Sequence, residues 1–508
     1  MLFPSRRNTS CALAIGLLAV TAQVQAAANT GLRACRVAGI PNELQCGSVM
    51  RPLDPARPAG VQIEVNFVVI PAMARNKQPD PVLLLAGGPG QSAIDVAPAV
   101  LPRLARLNNR RDLVFIDQRG TGRSAPLQCA NEDDDKLPLA EAMDPQAQLH
   151  RLEQCRQDLN LLPYVNLGSK GGDEGLRFFT TTIAVQDFEA VRLALGAPQW
   201  NLIGASYGTR AALEYLRQFP PRVRRTVIDG VAPPDMVLPA SFSTDGQAAL
   251  DAVFAACDTD AGSCAKRYPK LHDEWTRLLQ SLPRQVSMVN PRTGLPEAFT
   301  LTREMLLRSV RTPLYVPALA AGLPAAIHAA ASGRYEGLAG LGGALGGGKK
   351  GGRLADGMHF SVVCSEDVPR LGGTADNKPG ADFGGVDAAM YQQVCKTWPR
   401  GDVPEAFYKL KAAPSPVLVL SGGADPATPP RHGARVAAAL GPKVQHIVVP
   451  QAGHGVSALP CMRDVVYRFI DAKTDAEALP QDAACALRVP RPPAYIPIQA
   501  PVRPDSLP

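Results

Sequence analysis

The feature that most constrains the fold is a series of short apolar runs that end in glycine or aspartate and precede helical patterns. The runs are "PVLLLAGGPG", "DLVFIDQRG", "WNLIGASYG", "RRTVIDGV", "PVLVLSGGAD" and "VQHIVVPQAGH". Apolar residues without alternation predict strands that are buried on both faces, and therefore a mainly parallel sheet covered by helices. Helical patterns such as "TTIAVQDFEAVRLALG" and "RHGARVAAAL" lie between them. This alternation predicts an α/β fold.

The strand–helix alternation breaks between about residues 240 and 405. We interpret this stretch as an inserted, mostly helical cap over the carboxyl ends of the strands. Its Gly-rich "GLGGALGGGKKGG" is predicted to be a connector and not a phosphate-binding loop, because no strand precedes it. The predicted organisation is a signal peptide at 1–26, an α/β core at 27–240 and 406–485, the inserted cap at 241–405, and a Pro-rich tail at 486–508, extended on the surface or disordered.

Length, charge and the N-terminus narrow the functional class. A chain of 508 residues that is 46% hydrophobic and 19% charged suits a globular core with an insertion. The net charge of +7 is spread without a long basic run, so we expect no nucleic-acid partner. Arg6 and Arg7, an apolar run, and small residues at Val24 and Ala26 predict a signal peptide cleaved after Ala26, in preference to an uncleaved anchor. The protein is expected to be periplasmic or secreted.

The cysteines support that expectation. Cleavage would remove Cys11 and leave an even number of the 11 cysteines in an oxidising compartment, where disulfides are the default. Neighbouring positions suggest, without establishing, the pairs Cys35–Cys46, Cys129–Cys155, Cys257–Cys264, Cys364–Cys395 and Cys461–Cys485. Because the chain contains neither a Cys-x-x-Cys pair nor a Cys/His cluster, we expect no metal, and we expect no cofactor.

Ser206 lies between two glycines, where the apolar "WNLI" meets the helical pattern "TRAALEYLRQF". Glycine at 204 and 208 removes Cβ atoms that would collide in a tight strand-to-helix turn. Such a turn presents the hydroxyl at a helix N-terminus, where backbone N–H groups stabilise developing negative charge. We predict that Ser206 is a nucleophile; the alternative is an ordinary small-residue turn.

A serine nucleophile needs a base, and the base needs an orienting carboxylate. In this architecture the expected chain order is Ser, Asp, His, each at the end of a later strand. Asp425 follows "PVLVLSGGA" and His454 follows "VQHIVVPQAG", so both are predicted members of a triad. The alternatives are a helix cap for Asp425 and a structural loop for His454. His432 is the rival base, but it falls on a helical pattern and is predicted to face solvent.

The tetrahedral intermediate also needs hydrogen-bond donors for its oxyanion. We predict the backbone N–H of Tyr207, the residue after the nucleophile, and that of Gly88 in "AGGPG". The alternative for the glycine loop is a plain strand-to-helix turn. Asp117 and Arg119 of "DQRGTGRS" are predicted to be a structural charge pair that braces the loops around the site.

Four segments, "LLLAGGPGQS", "LVFIDQRGTGRS", "TTIAVQDFEAVRLALGAPQWNLIGASYGTRAALEYLRQFP" and "VLVLSGGADPATPP…PQAGHG", together resemble the proline iminopeptidase and secreted tripeptidyl aminopeptidase group of α/β-hydrolases. The resemblance covers most of 60–240 and 400–475. It implies a serine exopeptidase that acts on free peptide N-termini, with the triad and oxyanion donors named above. Ala86 stands where proline iminopeptidases carry histidine, and "CSED" with "VCKTWP" resembles the cap-to-core junction of the secreted branch, which favours that branch.

An aminopeptidase must also bind an α-ammonium group, which calls for a desolvated carboxylate near the cap. Glu366 and Asp367 in "CSEDVPR" are the predicted pair; the alternative is that they are solvated loop carboxylates. The expected partner is a peptide with a free N-terminus, with no stable membrane anchor. Two other functions stay open: an esterase or lipase that uses the same triad, and a non-catalytic binding protein with this fold.

Overall fold

The structure is a computed structural model that describes residues 31–129, 137–168, 172–345, 353–372 and 379–497. The predicted signal peptide at 1–26 and the end of the predicted tail lie outside these residues. In the described ranges, no helix has the length and apolar character needed to cross a membrane.

A central sheet organises the described chain and confirms the predicted α/β fold. It has nine strands in the order β1-β2-β3-β5-β4-β6-β7-β10-β11, and a separate hairpin joins β8 and β9. The strands are β1 (Arg33–Cys35), β2 (Leu44–Pro52), β3 (Gln62–Ile70), β4 (Val82–Leu85), β5 (Leu113–Ile116), β6 (Trp200–Ala205), β7 (Val223–Asp229), β8 (Arg284–Val289), β9 (Pro296–Leu301), β10 (Val417–Gly422) and β11 (Val444–Val449).

The sheet is parallel where the sequence predicted continuous apolar strands. β5, β4, β6, β7, β10 and β11 run parallel, whereas β1, β2, β3 and β5 pair antiparallel at the other side of the sheet. Every residue of β4, β5 and β10 is buried, as expected for strands covered on both faces. All six predicted strands are present.

Helices cover both faces of the sheet and build the inserted region. They are α1 (Ala93–Asn108), α2 (Leu139–Met143), α3 (Pro145–Leu159), α4 (Thr181–Ala194), α5 (Tyr207–Gln218), α6 (Leu238–Thr259), α7 (Cys264–Arg267), α8 (Leu271–Gln280), α9 (Arg303–Leu314), α10 (Pro317–Ala320), α11 (Leu323–Ala331), α12 (Glu336–Gly343), α13 (Asp356–Glu366), α14 (Val386–Cys395), α15 (Pro430–Leu440), α16 (Pro460–Asp471) and α17 (Asp475–Ala478). α1 and α16 pack on one face of the sheet, and α4, α5 and α15 pack on the other.

The chain between β7 and β10 holds two kinds of helix. α6, α8, α9 and α11 share a hydrophobic cluster of their own with the β8–β9 hairpin, and we call this group the cap. α13 and the end of α14 instead join the cluster of the hydrolase core, with Met358 and Cys364 completely buried there. The predicted cap boundary at 405 stays a prediction. The helical patterns of this stretch predict a single cap, whereas the structure packs its helices in two different clusters.

The five suggested cysteine pairs are all present as disulfides in the described residues. Cys364–Cys395 joins α13 to α14. The tail has neither helix nor strand from residue 489 to 497 and lies against the cap, where the Tyr495 N–H donates to the carbonyl of Ala321. The part of the Gly-rich connector at 346–352 lies outside the described residues.

Candidate active site

Ser206 occupies a strained corner between β6 and α5. Its φ of 55° lies in the left-handed region that side chains other than glycine rarely adopt. The two flanking glycines are required by close contacts: a Cβ at Gly204 would lie 2.4 Å from the Gly208 carbonyl oxygen, and one at Gly208 would lie 2.1 Å from that of Leu85. The predicted turn geometry is therefore present, and α5 begins at the next residue, Tyr207.

The corner is held by the neighbouring strand and lies next to the glycine loop. The Ser206 N–H donates to the Asp229 carbonyl at 2.9 Å. A Cβ at Gly87 would lie 3.3 Å from the Ser206 Cβ, so the loop and the serine are in near contact. Ser206 is half-buried, which leaves its side chain within reach of a ligand.

Asp425 and His454 form a hydrogen-bonded pair at the ends of β10 and β11. The His454 Nδ1 lies 2.8 Å from the Asp425 Oδ2, with the carboxylate buried and 19% of the histidine side chain exposed. The other oxygen, Asp425 Oδ1, accepts from the N–H groups of Ala427 and Thr428. Asp425 thus both caps the following turn and orients the imidazole, which combines the two roles that the sequence left as alternatives.

Electrostatics favour the charged form of both partners. Burial opposes ionisation of His454, but the charge and hydrogen bond of Asp425 outweigh it, so its pKa lies above the ordinary 6.5. Burial likewise opposes ionisation of Asp425, yet the pKa of this carboxyl is lowered by His454 and the backbone N–H donors. An imidazole held this way can accept a proton and stabilise the resulting cation.

Two residues that the sequence analysis did not single out fix the His454 loop. The His454 N–H donates to the Tyr315 carbonyl at 3.0 Å, and the two rings meet edge to face with centroids 5.2 Å apart. The Asp229 carboxylate accepts from the N–H groups of Val456 and Ser457, at 2.9 and 2.8 Å. Asp229 therefore bonds to both the serine corner and the histidine loop.

The glycine loop, residues 87–91, lies between β4 and α1. Gly88 has a φ of +112°, and a Cβ there would lie 2.7 Å from the Gly90 nitrogen, so only glycine fits. The loop is braced from a distant part of the chain: the Ala355 N–H donates to the Gly90 carbonyl at 2.9 Å, and Gln91 forms a β-bridge with Leu354. No sequence motif indicated this contact.

Glu366 and Asp367 have internal partners in the structure. Both side chains are fully buried, and Arg210 donates to each of them, at 3.4 and 2.9 Å. Glu366 also accepts from the N–H and hydroxyl of Thr181. Burial raises the pKa of Glu366 to about 7, although Arg210 opposes the shift. These contacts are those of an interior ion-pair network, and the alternative of solvated loop carboxylates is wrong.

Two further expectations need correction. His432 does lie on α15, but it is buried and its Nε2 bonds to Asp245 at 2.9 Å, so it does not face solvent. Asp117 and Arg119 brace loops separately and not as a pair. Asp117 accepts from the Ser92 hydroxyl, and Arg119 forms a bidentate pair with Asp187. Asp117 and Arg119 each bond to a residue from a distant segment and not to each other.

A cleft of about 530 Å³ extends from the glycine loop along the cap. Its wall includes Gly88 of the glycine loop and Tyr315, which contacts the His454 loop. The rest of the lining includes Gln148, Phe242, Glu304, Leu307, Arg308, Arg311, His359, Asp387 and Tyr391. The cleft is therefore continuous from the candidate oxyanion loop to the cap.

Glu304 and Asp387 supply carboxylates to this cleft. Asp387 is 3.0 Å from Arg311, which also stacks on the Phe242 ring. Glu304, in the first turn of α9, makes no ion pair with any described residue and is half-buried. The sequence analysis missed Glu304, because its helix carries no recognisable motif.

Comparisons with known proteins agree with the fold. Residues 80–256 match the alpha/beta hydrolase fold family, and residues 381–485 match the TAP-like protein family. Serine protease Hip1 of Mycobacterium tuberculosis is 32% identical over 198 residues, which are 39% of this chain and 37% of that protein. The tripeptidyl aminopeptidase of Streptomyces lividans is 32% identical over 199 residues, 38% of this chain and 36% of that protein.

A longer alignment joins the chain to carboxylesterase B of Mycobacterium tuberculosis, at 27% identity over 443 residues and 78% of each chain. By contrast, the chain matches little more than a third of the length of the first two relatives. The parallel sheet, the strained serine corner and the Asp–His pair define an α/β-hydrolase of the serine hydrolase class. Within that class, the chain resembles the TAP-like protein family over residues 381–485 and the tripeptidyl aminopeptidase of Streptomyces lividans over 38% of its length.

Proposed function

We propose that the protein is an exported serine aminopeptidase that releases short peptides from free peptide N-termini. The observation that carries the proposal is the Asp425–His454 pair and the strained serine corner, with Asp229 bonded to both the corner and the His454 loop. A cleft leads from the glycine loop to Glu304, which has no ion pair with a described residue. The TAP-like family match and the tripeptidyl aminopeptidase relative support a peptide substrate. The disulfides support export.

In the proposed reaction the Ser206 hydroxyl attacks the scissile carbonyl carbon while His454 accepts its proton. Asp425 stabilises the imidazolium, and the N–H groups of Gly88 and Tyr207 stabilise the oxyanion. His454 then returns the proton to the leaving amine, and the released peptide fragment departs from an acyl-enzyme on Ser206. A water that His454 deprotonates attacks the acyl carbon and regenerates the free serine.

Glu304 is the carboxylate we propose for the substrate ammonium group, in place of Glu366 and Asp367, whose charges are already engaged by Arg210. Tyr315, beside His454, is eleven residues from Glu304, or about 16 Å along the helix axis. One extended residue spans only about 3.4 Å and three span roughly 10 Å. A separation of this size favours release of a few residues over release of one.

Substrate panels test this function. Peptidyl anilides with free N-termini, their N-acetylated counterparts and short nitrophenyl esters are compared, with products identified by mass spectrometry. We expect cleavage of the free-amine peptides, no cleavage of the acetylated ones, and tripeptide-sized products. Ser206→Ala abolishes turnover and labelling by a fluorophosphonate. Absence of labelling in the folded wild-type protein would instead indicate a non-catalytic binding role.

A matched pair of variants tests the ammonium site. Glu304→Gln is expected to raise KM for free-amine peptides about 10- to 100-fold, the value of one charge-assisted hydrogen bond, and to leave ester turnover unchanged. Glu336→Gln is the control, because Glu336 occupies the first turn of α12 but is exposed and outside the cleft. Equal losses on peptide and ester substrates would contradict the assignment.

The second candidate is a carboxylic ester hydrolase that uses the same triad. The alignment with carboxylesterase B favours it, since that alignment spans much more of the chain than those with the peptidases. An esterase would turn over the nitrophenyl esters efficiently and treat free and blocked N-termini alike.

A further inference from the structure

His359 is a buried histidine outside the proposed triad that contacts the glycine loop directly. It lies on α13, and only 8% of the residue is exposed. Its Nδ1 is 3.1 Å from the carbonyl oxygen of Pro89, in the middle of the loop. Its Nε2 is 2.8 Å from the Tyr391 hydroxyl on α14. The imidazole therefore bridges the loop and a helix that lines the substrate cleft.

The hydrogen-bond partners determine the tautomer. A backbone carbonyl only accepts, so Nδ1 must carry the proton and donate to Pro89. Burial lowers the pKa of His359 and keeps the ring neutral, although the Pro89 carbonyl opposes the shift. Nε2 is then an acceptor, and the Tyr391 hydroxyl donates a hydrogen bond to it. The hydrogen bonds therefore run in one direction, from the Tyr391 hydroxyl to His359 and from His359 to the Pro89 carbonyl.

The loop needs such an external anchor. Glycines at 87, 88 and 90 give its backbone wide conformational freedom, and two of them have positive φ. The Ala355 N–H holds the Gly90 carbonyl from the start of α13, and His359 holds the neighbouring carbonyl of Pro89 one turn later. Oxyanion donors stabilise a transition state only when they are oriented before the reaction begins.

We propose that His359 is a positioning residue that orients the oxyanion loop and couples it, through Tyr391, to the wall of the substrate cleft. The proposal rests on the proposed function in one respect, the role of Gly88 as an oxyanion donor. Tyr391 lines the cleft and packs edge to face against Phe242, so a substrate that contacts this wall also fixes the hydroxyl that holds His359.

Two amide substitutions separate the two nitrogens of the ring. The amide nitrogen of asparagine can occupy the position of Nδ1, so His359→Asn keeps a donor for Pro89. The longer glutamine places its amide near Nε2, so His359→Gln keeps the bond to Tyr391 and loses the one to Pro89. We expect His359→Gln to lower kcat by about 10- to 100-fold and to leave KM within about twofold of the wild-type value. This loss of kcat is smaller than the loss caused by removing a direct oxyanion donor. His359→Asn should stay within about threefold of the wild type in kcat.

Binding of a transition-state analogue provides a second readout. The affinity for a peptidyl boronic acid should fall in His359→Gln in parallel with kcat/KM and recover in His359→Asn. Tyr391→Phe keeps the ring but removes the donor to Nε2, and its kcat should lie between those of the two histidine variants. His446→Gln is the control for loss of a partly buried imidazole, because His446 bonds to Ser421 on the far strands of the sheet.

Hydrogen exchange of the peptide that contains residues 87–91 measures the loop without any need for turnover. Faster exchange in His359→Gln than in His359→Asn or wild type supports the proposal. Unchanged exchange and unchanged kcat in a folded His359→Gln overturn it. Equal kcat losses in both histidine variants, in step with melting temperature, also overturn it in favour of a merely structural histidine. A wild-type protein without hydrolase activity contradicts the proposed function, whereas the exchange result still decides the role of His359 in the loop.

Discussion

His454 combines partial exposure with a strong electrostatic bias toward its charged form. Burial alone would lower its pKa, but the Asp425 carboxylate raises it above 6.5 through charge and a 2.8 Å hydrogen bond. Asp229, which contacts the same loop, adds a smaller contribution of the same sign. A general base must be neutral to accept a proton, so this bias has a direct consequence for the pH dependence of the reaction.

We expect kcat/KM of the wild-type enzyme to fall on the acid side with a midpoint above pH 6.5, because protonation of His454 removes the base. Asp425→Asn removes the charge that raises this pKa, so its residual activity should be much lower and its acid midpoint should move to lower pH. Asp402→Asn, at an exposed carboxylate, is the control and should leave the profile unchanged. An acid midpoint that does not move in Asp425→Asn would contradict the pairing of the two groups.

Gly88 has a backbone conformation that favours glycine, and its N–H is a proposed oxyanion donor. Gly88→Ala should lower kcat about 100- to 1000-fold, as removal of an oxyanion donor does, because the new Cβ would lie 2.7 Å from a backbone nitrogen and displace the loop. Gly333→Ala is the matched control: its φ of +85° imposes similar strain, but no atom lies within 4 Å of the added Cβ. Steady-state kinetics and circular dichroism of both variants check the expectation. Normal kcat in a folded Gly88→Ala protein would exclude an oxyanion role for this loop.

The proposed nucleophile, base and orienting carboxylate could be predicted because each follows a strand and carries a local signature. The ammonium site could not. The segment "CSEDVPR" gives no indication that Glu366 and Asp367 form ion pairs. Their partner, Arg210, lies about 150 positions earlier in the chain and donates to both carboxylates. Glu304 was missed for the converse reason, since its position in the cleft depends on how α9 packs and not on its neighbours in sequence.

At the scale of elements, the parallel strands were predictable because burial on both faces leaves a continuous apolar run. The β1–β2 and β8–β9 hairpins were not predicted; in β8 and β9 exposed and buried residues alternate, which weakens the apolar signal. α13 was assigned to the cap from its position in the chain, yet it packs on the core and braces the glycine loop. That contact joins residues more than 260 positions apart, and no local pattern encodes it.

The Cys364–Cys395 disulfide is expected to stabilise the element pair α13–α14 that carries His359 and Tyr391. It closes a separation of 31 residues, and the chain-entropy model predicts a loss of about 3–4 kcal/mol when such a link is removed. The double variant Cys364→Ala/Cys395→Ala should therefore melt at lower temperature and show reduced kcat. Differential scanning calorimetry and kinetics under oxidising conditions provide the measurement.

The control for this disulfide is Cys257→Ala/Cys264→Ala, which removes a link with a separation of only seven residues in the cap. The shorter loop predicts a smaller loss of stability, and its distance from α13 predicts unchanged kcat. If the two double variants lose kcat equally, the disulfide does not act through α13 and α14.

At the scale of the whole molecule, the cap and the core meet at the candidate active site. The carbonyl of Tyr315, at the end of α9, holds the backbone of the His454 loop, so the position of the cap influences the proposed base. The C-terminal strap, residues 489–497, crosses from the last core helices to the cap. It bonds there to Ala252 through Arg491 and to Ala321 through Tyr495. A pocket of about 220 Å³ lies beneath it.

Truncation after residue 488 should loosen the cap while leaving the Cys461–Cys485 disulfide intact. Loss of the strap removes its bonds to Ala252 and Ala321 and uncovers apolar surface, so amides of α6 and α10 should exchange faster. Because α10 begins two residues after Tyr315, kcat/KM for peptides should fall more than that for small esters, which need less of the cleft. Truncation after residue 497 is the control, since every described strap contact remains. Unchanged exchange in the shorter protein would show that the cap is held by its other contacts with the core, and that the strap has no part in positioning the His454 loop.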